Sequence, residues 1–330
     1  MTRGASLREL PLASIAVALA IATLGAQQPA PFTAKTNLIV VPAVVVDKKG
    51  ASVGGLTQGD FQVFEDGKPV PIETFLAPSE TGVTGEQGRV IVIALDNLTT
   101  RAEIAFRVRS IAKMFVDRMG PSDVMSVISI SGGKAVTTSM KSELSAAISR
   151  FTPSAGGDLM TGAQKKRHGL QTLKELSQQV EKVNHRRKVL VFIGDNALLN
   201  PNQPSADDSG DLSLMTEWQD AISATTRNNV SVYLIDPKGA AVSESAEGLA
   251  ASPTTSVGRD RSPDTFTLET GGDAWYDTNN YSGAVNRIWQ ESASYYLLGY
   301  APPISDNKIH KIEVKVTKPG VTVRARKARG

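Results

Sequence analysis

The 330-residue chain contains no cysteine, and this absence excludes several classes of protein. Without thiols it can form no disulfide, no thiolate-bound metal site and no iron–sulfur cluster, and it has no cysteine nucleophile. Histidine is also scarce, since the chain has three, His168, His185 and His310, which are scattered far apart and leave little material for a zinc site. Any bound metal ion is therefore expected to be held by oxygen atoms.

A large excess of charge of one sign is also missing. The chain has 36 Lys and Arg residues against 33 Asp and Glu residues, which gives a formal net charge of +3. This balance does not favour a polyanion-binding surface, and the basic runs are short, so no nucleic-acid partner is expected. The hydrophobic fraction of 41% is ample for packed cores and excludes a wholly disordered chain. The chain length favours about two domains.

Residues 1–26 have the features of a cleaved signal peptide. Arg3 and Arg8 give a positive start, residues 12–24 form an apolar run, and a Leu-Gly-Ala ending at Ala26 suits cleavage before Gln27. The apolar run is shorter than the roughly 18–20 residues that span a bilayer, so no stable membrane span is expected after cleavage. We therefore expect an exported protein, either periplasmic or secreted.

The middle of the chain alternates between apolar strands and amphipathic helices. A continuously apolar strand, typical of a strand covered on both faces, is expected at residues 90–95, and further strands are expected at residues 124–130, 189–193 and 230–235. Helices are expected at residues 101–119, 143–151, 212–226 and 284–293, with a further long helix that ends near residue 183. This alternation predicts an α/β fold with a doubly wound, mostly parallel sheet.

Both ends of the mature chain are rich in β-strand patterns. Strands are expected at residues 37–46, 61–64 and 70–75 near the start, and at residues 295–300, 311–317 and 321–325 near the end. Neither set has enough strands for a stable sheet alone. We therefore expect a small β-sandwich formed by both chain ends, at residues 36–79 and 295–330, with the α/β domain inserted at residues 88–294.

Carboxylates follow two of the predicted parallel strands. One strand runs directly into Asp96 and another, through Gly194, into Asp195, and a Gly-rich loop carries Asp158 and Thr161. In open α/β sheets ligands bind at this carboxyl edge, and carboxylates beside hydroxyls suit Mg²⁺. The same aspartates could instead cap the helices that follow them. From the residues alone both interpretations stay open.

Seven segments occur in an order and spacing that are specific as a set. They are LTQGDFQVFEDGKPVPI (56–72), VIVIALDNLTT (90–100), GPSDVMSVISI (120–130), KVLVFIGDN (188–196), TGGDAWYDTNN (270–280), YYLLGYAPP (295–303) and KIEVKVTKPGVTVRARK (311–327). With them the chain resembles the von Willebrand factor type A (VWA) family, and more closely its acidobacterial VWA-related branch. The resemblance covers nearly the whole mature chain and implies a VWA, Rossmann-like fold.

This resemblance also implies a metal-ion-dependent adhesion site (MIDAS) of degenerate form. Asp96 matches the first aspartate of the D-x-S-x-S run and Thr100 its last hydroxyl, whereas Leu98 stands where the middle serine belongs. In the second loop an aspartate stands at the usual threonine position, with a threonine nearby, and the distal aspartate is also matched. The metal ligands implied for Mg²⁺ are Asp96, Thr100, Asp158, Thr161 and Asp195.

Enzymatic functions are less well supported than binding. A haloacid-dehalogenase-type phosphatase needs a second carboxylate two residues after the first as general acid/base, and Leu98 occupies that position. No dinucleotide fingerprint, Walker lysine motif or nucleophile elbow is present. We therefore expect a protein-binding or adhesion module rather than an enzyme. The alternatives are a metal-free structural or assembly component of the cell envelope and, third, a metal-dependent phosphatase-like hydrolase.

Overall fold

The structure is a computed structural model that describes residues 38–78, 88–154, 159–181, 187–200, 212–240, 262–304, 306 and 308–329. The predicted signal peptide at residues 1–26 and the predicted ligand Asp158 lie outside these residues. Within the described ranges, no helix is both long enough and apolar enough to cross a membrane.

The described residues form fourteen strands and six α-helices. The strands are β1 (Ile39–Asp47), β2 (Phe61–Glu65), β3 (Lys68–Val70), β4 (Thr74–Leu76), β5 (Val90–Leu95), β6 (Val124–Ser129), β7 (Val136–Thr138), β8 (Lys188–Ile193), β9 (Val230–Ile235), β10 (Ala274–Trp275), β11 (Tyr296–Tyr300), β12 (His310–Val316), β13 (Val321–Ala325) and β14 (Ala328–Arg329). The helices are α1 (Ala105–Arg118), α2 (Lys141–Ser149), α3 (Gly162–Gln179), α4 (Leu212–Arg227), α5 (Ser262–Glu269) and α6 (Tyr281–Ala293).

The central sheet has the strand order β10-β9-β8-β5-β6-β7. All neighbouring strands in it are parallel except the edge strand β7, which pairs antiparallel with β6. One face of the sheet packs against α1, α2 and α6, and the other packs against α3, α4 and α5. Because helices cover both faces, every residue of β5, β8 and β9 is buried. The predicted doubly wound, mostly parallel sheet is confirmed.

Two antiparallel sheets combine strands from both ends of the chain, with the orders β13-β1-β11-β4 and β14-β12-β2-β3. In the first sheet Ala43 pairs with Ala325 on one side and Tyr296 on the other. The two sheets share one apolar core, in which the rings of Phe61 and Tyr296 lie 4.9 Å apart between centroids. The small β-sandwich formed by both chain ends is therefore present as predicted.

Four of the described strands and helices were missed in the sequence analysis. The strands β7, β10 and β14 have three, two and two residues, which is too short for a recognisable alternation. The eight residues of α5 include two large apolar side chains, Phe266 and Leu268, which do not make a helical stripe. These elements are identified by their tertiary contacts rather than by local pattern.

A buried charged network joins the central sheet to the sandwich. Glu291, at the end of α6 and 1% exposed, accepts hydrogen bonds from Tyr233 Oη of β9 at 3.0 Å and from Arg287 Nε at 3.1 Å. It also accepts one from Arg324 of β13. The Arg324 guanidinium in turn pairs with Asp273, just before β10. Buried charges persist when they are paired in this way, so the network fixes how the two parts of the fold meet.

Arg326 makes a second connection at the same junction. Its Nη1 donates to the carbonyl of Thr226, at the end of α4, at 2.6 Å, and its Nη2 donates to the carbonyl of Val40 in β1 at 2.8 Å. Burial lowers the pKa of this guanidinium to about 10. The sandwich therefore attaches where α4 and α6 end, which is the amino edge of the parallel strands.

Replacing Glu291 by Gln is expected to destabilise the protein by about 3–5 kcal/mol, because the carboxylate is buried and the guanidinium groups of Arg324 and Arg287, which are 9% and 33% exposed, share it. Chemical denaturation at neutral pH measures the change. The matched control is Glu313→Gln, since Glu313 forms an exposed pair with Lys315 at 3.3 Å, and its loss is expected to cost less than about 1 kcal/mol. Equal losses in the two variants would contradict the role of Glu291.

Candidate functional site at the carboxyl edge of the central sheet

Asp96 follows β5 directly and is fully buried. Its Oδ1 accepts hydrogen bonds from the backbone N–H groups of Leu98 at 2.9 Å and Thr99 at 3.0 Å. Its Oδ2 accepts from the Thr99 hydroxyl and from the backbone N–H of Asp195 at 3.1 Å. A carboxylate offers about four lone-pair positions, so these four protein donors use its acceptor capacity. Asp96 therefore closes the turn after β5 and ties it to the end of β8.

The chain approaches Asp96 closely at Gly194. A Cβ atom added at Gly194 would lie 2.2 Å from Asp96 Cβ and 2.8 Å from its Oδ2, so only glycine fits there. Burial raises the pKa of the Asp96 carboxyl, while the hydrogen bonds from Thr99 and Asp195 act in the opposite direction. The local sequence is thus built around a buried, hydrogen-bonded carboxyl group.

The side chains of Leu98 and Thr100 differ in what surrounds them. Leu98 is 5% exposed and packs in the core beside Ile130 and Leu170, so no oxygen stands at this position. Thr100 is 7% exposed, and its Oγ1 has no hydrogen-bond partner among the residues that the structure describes. Burying a hydroxyl without a hydrogen-bond partner costs free energy. Of the predicted metal ligands, Thr100 is therefore the one whose oxygen has the capacity to bind an additional group.

Lys238 contacts two aspartates at the carboxyl edge. Its side chain pairs with Asp195, which follows β8, and its backbone N–H contacts Asp236, which follows β9. Asp195 Oδ2 lies 2.5 Å from Lys238 Nζ, and Lys238 is about half exposed. Asp236 is 7% exposed, and its Oδ1 accepts from the backbone N–H of Lys238 at 2.8 Å. Burial raises the pKa of Asp236 to about 6, and the negative charges of Asp195 and Asp277 also raise it. This edge is therefore a cluster of carboxylates with an ammonium group beside it.

The loop that carries Lys238 is held in place from two helices. Arg107 Nη1 of α1 donates to the carbonyl of Lys238 at 2.6 Å, and the Tyr281 hydroxyl of α6 donates to the carbonyl of Pro237 at 3.0 Å. Gly239 follows with a φ of +77°, in the left-handed region that favours glycine. These contacts fix the position of the Lys238 backbone beside Asp195.

The predicted metal ligands are only partly brought together. At the carboxyl edge the backbone N–H of Asp195 donates to the Asp96 carboxylate, and Thr100 directly follows the turn that Asp96 closes. Thr161 is the N-cap of α3, where its Oγ1 accepts from the backbone N–H of Gln164 at 3.2 Å. With Asp158 outside the described residues, the five-residue metal site stays a prediction.

Asp236 and Lys238 were missed in the sequence analysis. For Asp236 a signal was available, because the apolar strand VSVYLI runs directly into it, as VIVIAL runs into Asp96. No local pattern indicates that Lys238, two residues later, reaches back to a carboxylate that follows a different strand.

A second cluster of ionisable side chains lies in the sandwich. Glu65, Asp66 and His310 bring ligand atoms within 4.8 Å of one another, a grouping that could hold a metal ion. His310 Nδ1 lies 2.7 Å from Asp66 Oδ2, and its Nε2 lies 2.7 Å from Asp306 Oδ1. The imidazole is thus placed between two carboxylates, an arrangement that favours its protonated form.

The buried Glu65 carboxylate of this cluster has two strong protein partners. Arg329 binds it through two nitrogens, with Nε–Oε2 and Nη2–Oε1 distances of 2.9 and 2.5 Å. The Tyr300 hydroxyl donates to Oε2 at 2.6 Å. A metal ion here would compete with Arg329 for Glu65 and with protons for His310.

No protein-family model matches the chain, and no curated protein matches it. Among solved structures, it is similar to the manganese-loaded TRAP protein of Plasmodium vivax, with a TM-score of 0.38 and 8% identity over 81% of this chain and 97% of that chain. It is also similar to the human COPII-coat protein Sec24c, with a TM-score of 0.34 and 8% identity over 74% of this chain and 44% of that chain. It is similar as well to the TFIIH p34 N-terminal domain, with a TM-score of 0.31 and 11% identity over 62% of this chain and 97% of that chain. These values identify no family, so the VWA resemblance enters below as part of a proposal.

The His310 cluster predicts how stability depends on pH. Hydrogen bonds to Asp306 and Asp66 raise the pKa of His310 above its ordinary 6.5, so its stabilising contribution is complete below that pH and is lost as the pH rises through the higher folded-state pKa. Hydrogen bonds from His310 lower the pKa of Asp66 and Asp306 below the ordinary 3.8, so their contribution is lost as the pH falls. The melting temperature is therefore expected to be highest at a pH between the lowered pKa of the two aspartates and the raised pKa of His310.

The test compares melting temperatures from pH 4 to pH 9 in the wild type and in His310→Gln. The variant is expected to lose the decline on the alkaline side. His168→Gln, on the surface of α3, serves as the control and is expected to keep it. An unchanged alkaline decline in His310→Gln would refute the assignment.

Proposed function

We propose that the protein is an exported, VWA-like protein-binding module whose binding surface is the carboxyl edge of the central sheet. The observation that carries the proposal is the Lys238–Asp195 pair, which is partly exposed at the edge where open α/β sheets form their ligand sites. The pair stands on a loop held by Arg107 and Tyr281, so a partner would meet a preorganised charged surface. Export is proposed from the sequence of residues 1–26.

Exposed apolar side chains at the same edge support a protein ligand. Phe106, in the first turn of α1, is 58% exposed, and Leu159, just before α3, is 88% exposed. Both helices begin at the carboxyl edge, because α1 follows β5 and the end of α3 leads towards the start of β8. Exposed large apolar groups beside a charged pair are typical of interaction surfaces.

A divalent cation at this edge would find oxygen donors of the type that Mg²⁺ prefers. The side chains that would hold it are Thr100, whose buried Oγ1 has no partner within the described ranges, and Asp195 through its carboxylate. When bound, such an ion would supply a positive centre for a carboxylate of the partner. Lys238 would then compete with the ion for Asp195.

The alternative function is a metal-free structural or assembly component of the cell envelope. Its support comes from Asp96, whose oxygens accept four hydrogen bonds from protein donors, and from Leu98, which is buried in the core. In this alternative the aspartates serve to close turns. A phosphatase-like hydrolase is the third candidate, and turnover of a phosphate ester that Asp195→Asn abolishes would favour it.

Thr100→Val separates the metal-dependent and metal-free versions. If Thr100 binds the ion, Mg²⁺ or Mn²⁺ at about 100 times its Kd stabilises the wild type by about 2.7 kcal/mol relative to EDTA, and the variant shows no such shift. If no ion binds, the variant is at least as stable as the wild type, because an unpaired buried hydroxyl is removed. Asp96→Ala is less informative, since it also removes four hydrogen bonds.

His310→Gln is the control for this melting experiment. It is expected to keep the response to metal, because His310 lies in the other carboxylate cluster. Loss of the response in His310→Gln alone would place the ion beside Glu65 instead. A melting temperature that does not change with millimolar metal in any variant would leave the metal-free version.

The binding surface is tested by recovering partners from an envelope fraction on immobilised protein, with and without EDTA. Lys238→Met is expected to lower recovery about tenfold, because one of the charges at the proposed surface is removed. Lys315→Met removes an equally exposed lysine from the sandwich and is expected to leave recovery unchanged. Equal recovery by the two variants would contradict the placement of the surface.

A further inference from the structure

Arg187 is a buried cation with an incomplete set of partners. It directly precedes β8 and is 5% exposed. Its Nη2 donates to the hydroxyl of Tyr233 at 2.9 Å, whereas its Nε and Nη1 are buried and have no hydrogen-bond partner in the described part of the chain. The N–H groups of a guanidinium can only donate hydrogen bonds, so these two lack an acceptor among the described residues. Such an arrangement is energetically costly, which points to an acceptor other than the described residues.

Arg89 occupies the corresponding position before β5, and there the protein supplies acceptors for the guanidinium group. Its Nη1 lies 3.2 Å from Asp123 Oδ2, and its Nε donates to the Ser292 hydroxyl at 3.0 Å. Its guanidinium also stacks over the ring of Trp289, 4.3 Å from the centroid. Arg187 has a similar aromatic contact, since its guanidinium lies 5.2 Å from the ring centroid of Tyr295. Its polar partner, however, is the neutral hydroxyl of Tyr233, whereas Arg89 is paired with the carboxylate of Asp123.

The charges linked to Arg187 leave an excess of one positive charge. Through Tyr233 it is connected to the network of Glu291, which unites three guanidinium groups with two carboxylates. Burial raises the pKa of the Tyr233 hydroxyl, so this group stays neutral and does not offset the excess. Within the same network the Nε of Arg324 is also buried, and no described residue accepts a hydrogen bond from it. One small monovalent anion would balance the charge.

We propose that Arg187 forms a buried binding site for a small monovalent anion of the halide class, at the junction between the central sheet and the β-sandwich. The anion accepts hydrogen bonds from the N–H groups of Arg187 that lack a protein acceptor. The anion would pair with Arg187 as the carboxylate of Asp123 pairs with Arg89. Its negative charge would neutralise the excess positive charge of the network around Glu291. This site is independent of the carboxyl edge, because Arg187 lies at the opposite, amino edge of the sheet.

The test measures melting temperature at constant ionic strength while chloride replaces gluconate, an anion too large for a buried site. Chloride is expected to raise the melting temperature of the wild type by about 5 °C through binding to the folded state. Arg187→Met is expected to abolish the difference between the two anions. Arg89→Met, the matched control, removes an arginine that already has a carboxylate partner and is expected to keep it.

The outcomes are decisive in both directions. Equal melting temperatures in chloride and gluconate would mean that water satisfies Arg187 and would overturn the proposal, as would a chloride effect that survives in Arg187→Met. If Arg187→Met does not fold, the wild type still decides the matter. Crystals grown in bromide are expected to show an anomalous peak beside Arg187, and a water peak without anomalous signal would refute the site.

Discussion

Glu291 is the side chain on which the arrangement of the whole protein depends. It lies at the end of α6 and accepts hydrogen bonds from the central sheet, from its own helix and from the sandwich strand β13. Because the carboxylate is buried, none of these donors can be exchanged for water without an energetic cost. The junction lies at the amino edge of the parallel strands, and this leaves the carboxyl edge for other groups.

The carboxyl edge shows that one sequence pattern can serve different purposes. Asp96, Asp195 and Asp236 all stand at the ends of apolar parallel strands, but their surroundings differ. Asp96 is satisfied by backbone and hydroxyl donors, whereas Asp195 faces an ammonium group. Asp236 is buried with neighbouring negative charge, which makes its ionised form less favourable. The role of each aspartate is therefore decided by donors from other segments.

The sequence predicts most closely those features that depend on continuous burial. The strands VIVIAL and VSVYLI have the predicted bounds, because helices cover both faces of the sheet and both strands are buried along their whole length. The helix boundaries are less certain from pattern alone, and α3 ends at Gln179 rather than near residue 183. Helix ends depend on capping and on the following loop, and apolar spacing records neither.

The site could be predicted only in part, because its chemistry arises from distant contacts. The two predicted aspartates do meet, at the carboxyl edge, since strand topology alone brings them there. The pairing of Lys238 with Asp195, and that of His310 with Asp66, join segments far apart in sequence. No spacing rule relates such pairs. The buried Arg187 belongs to the same class, because its lack of an acceptor is a property of the packed junction.

The strand β1 has a consequence for the order in which the protein folds. It lies between β11 and β13, so the first strand of the sandwich has both neighbours near the other end of the chain. Pairing across such sequence distances makes folding slow, and until then an apolar strand rich in valine remains a site for aggregation. The sandwich can therefore be completed only after synthesis has reached β13. A truncation that removes β13 would leave β1 without one of its two neighbours, although the two strands lie at opposite ends of the sandwich sequence.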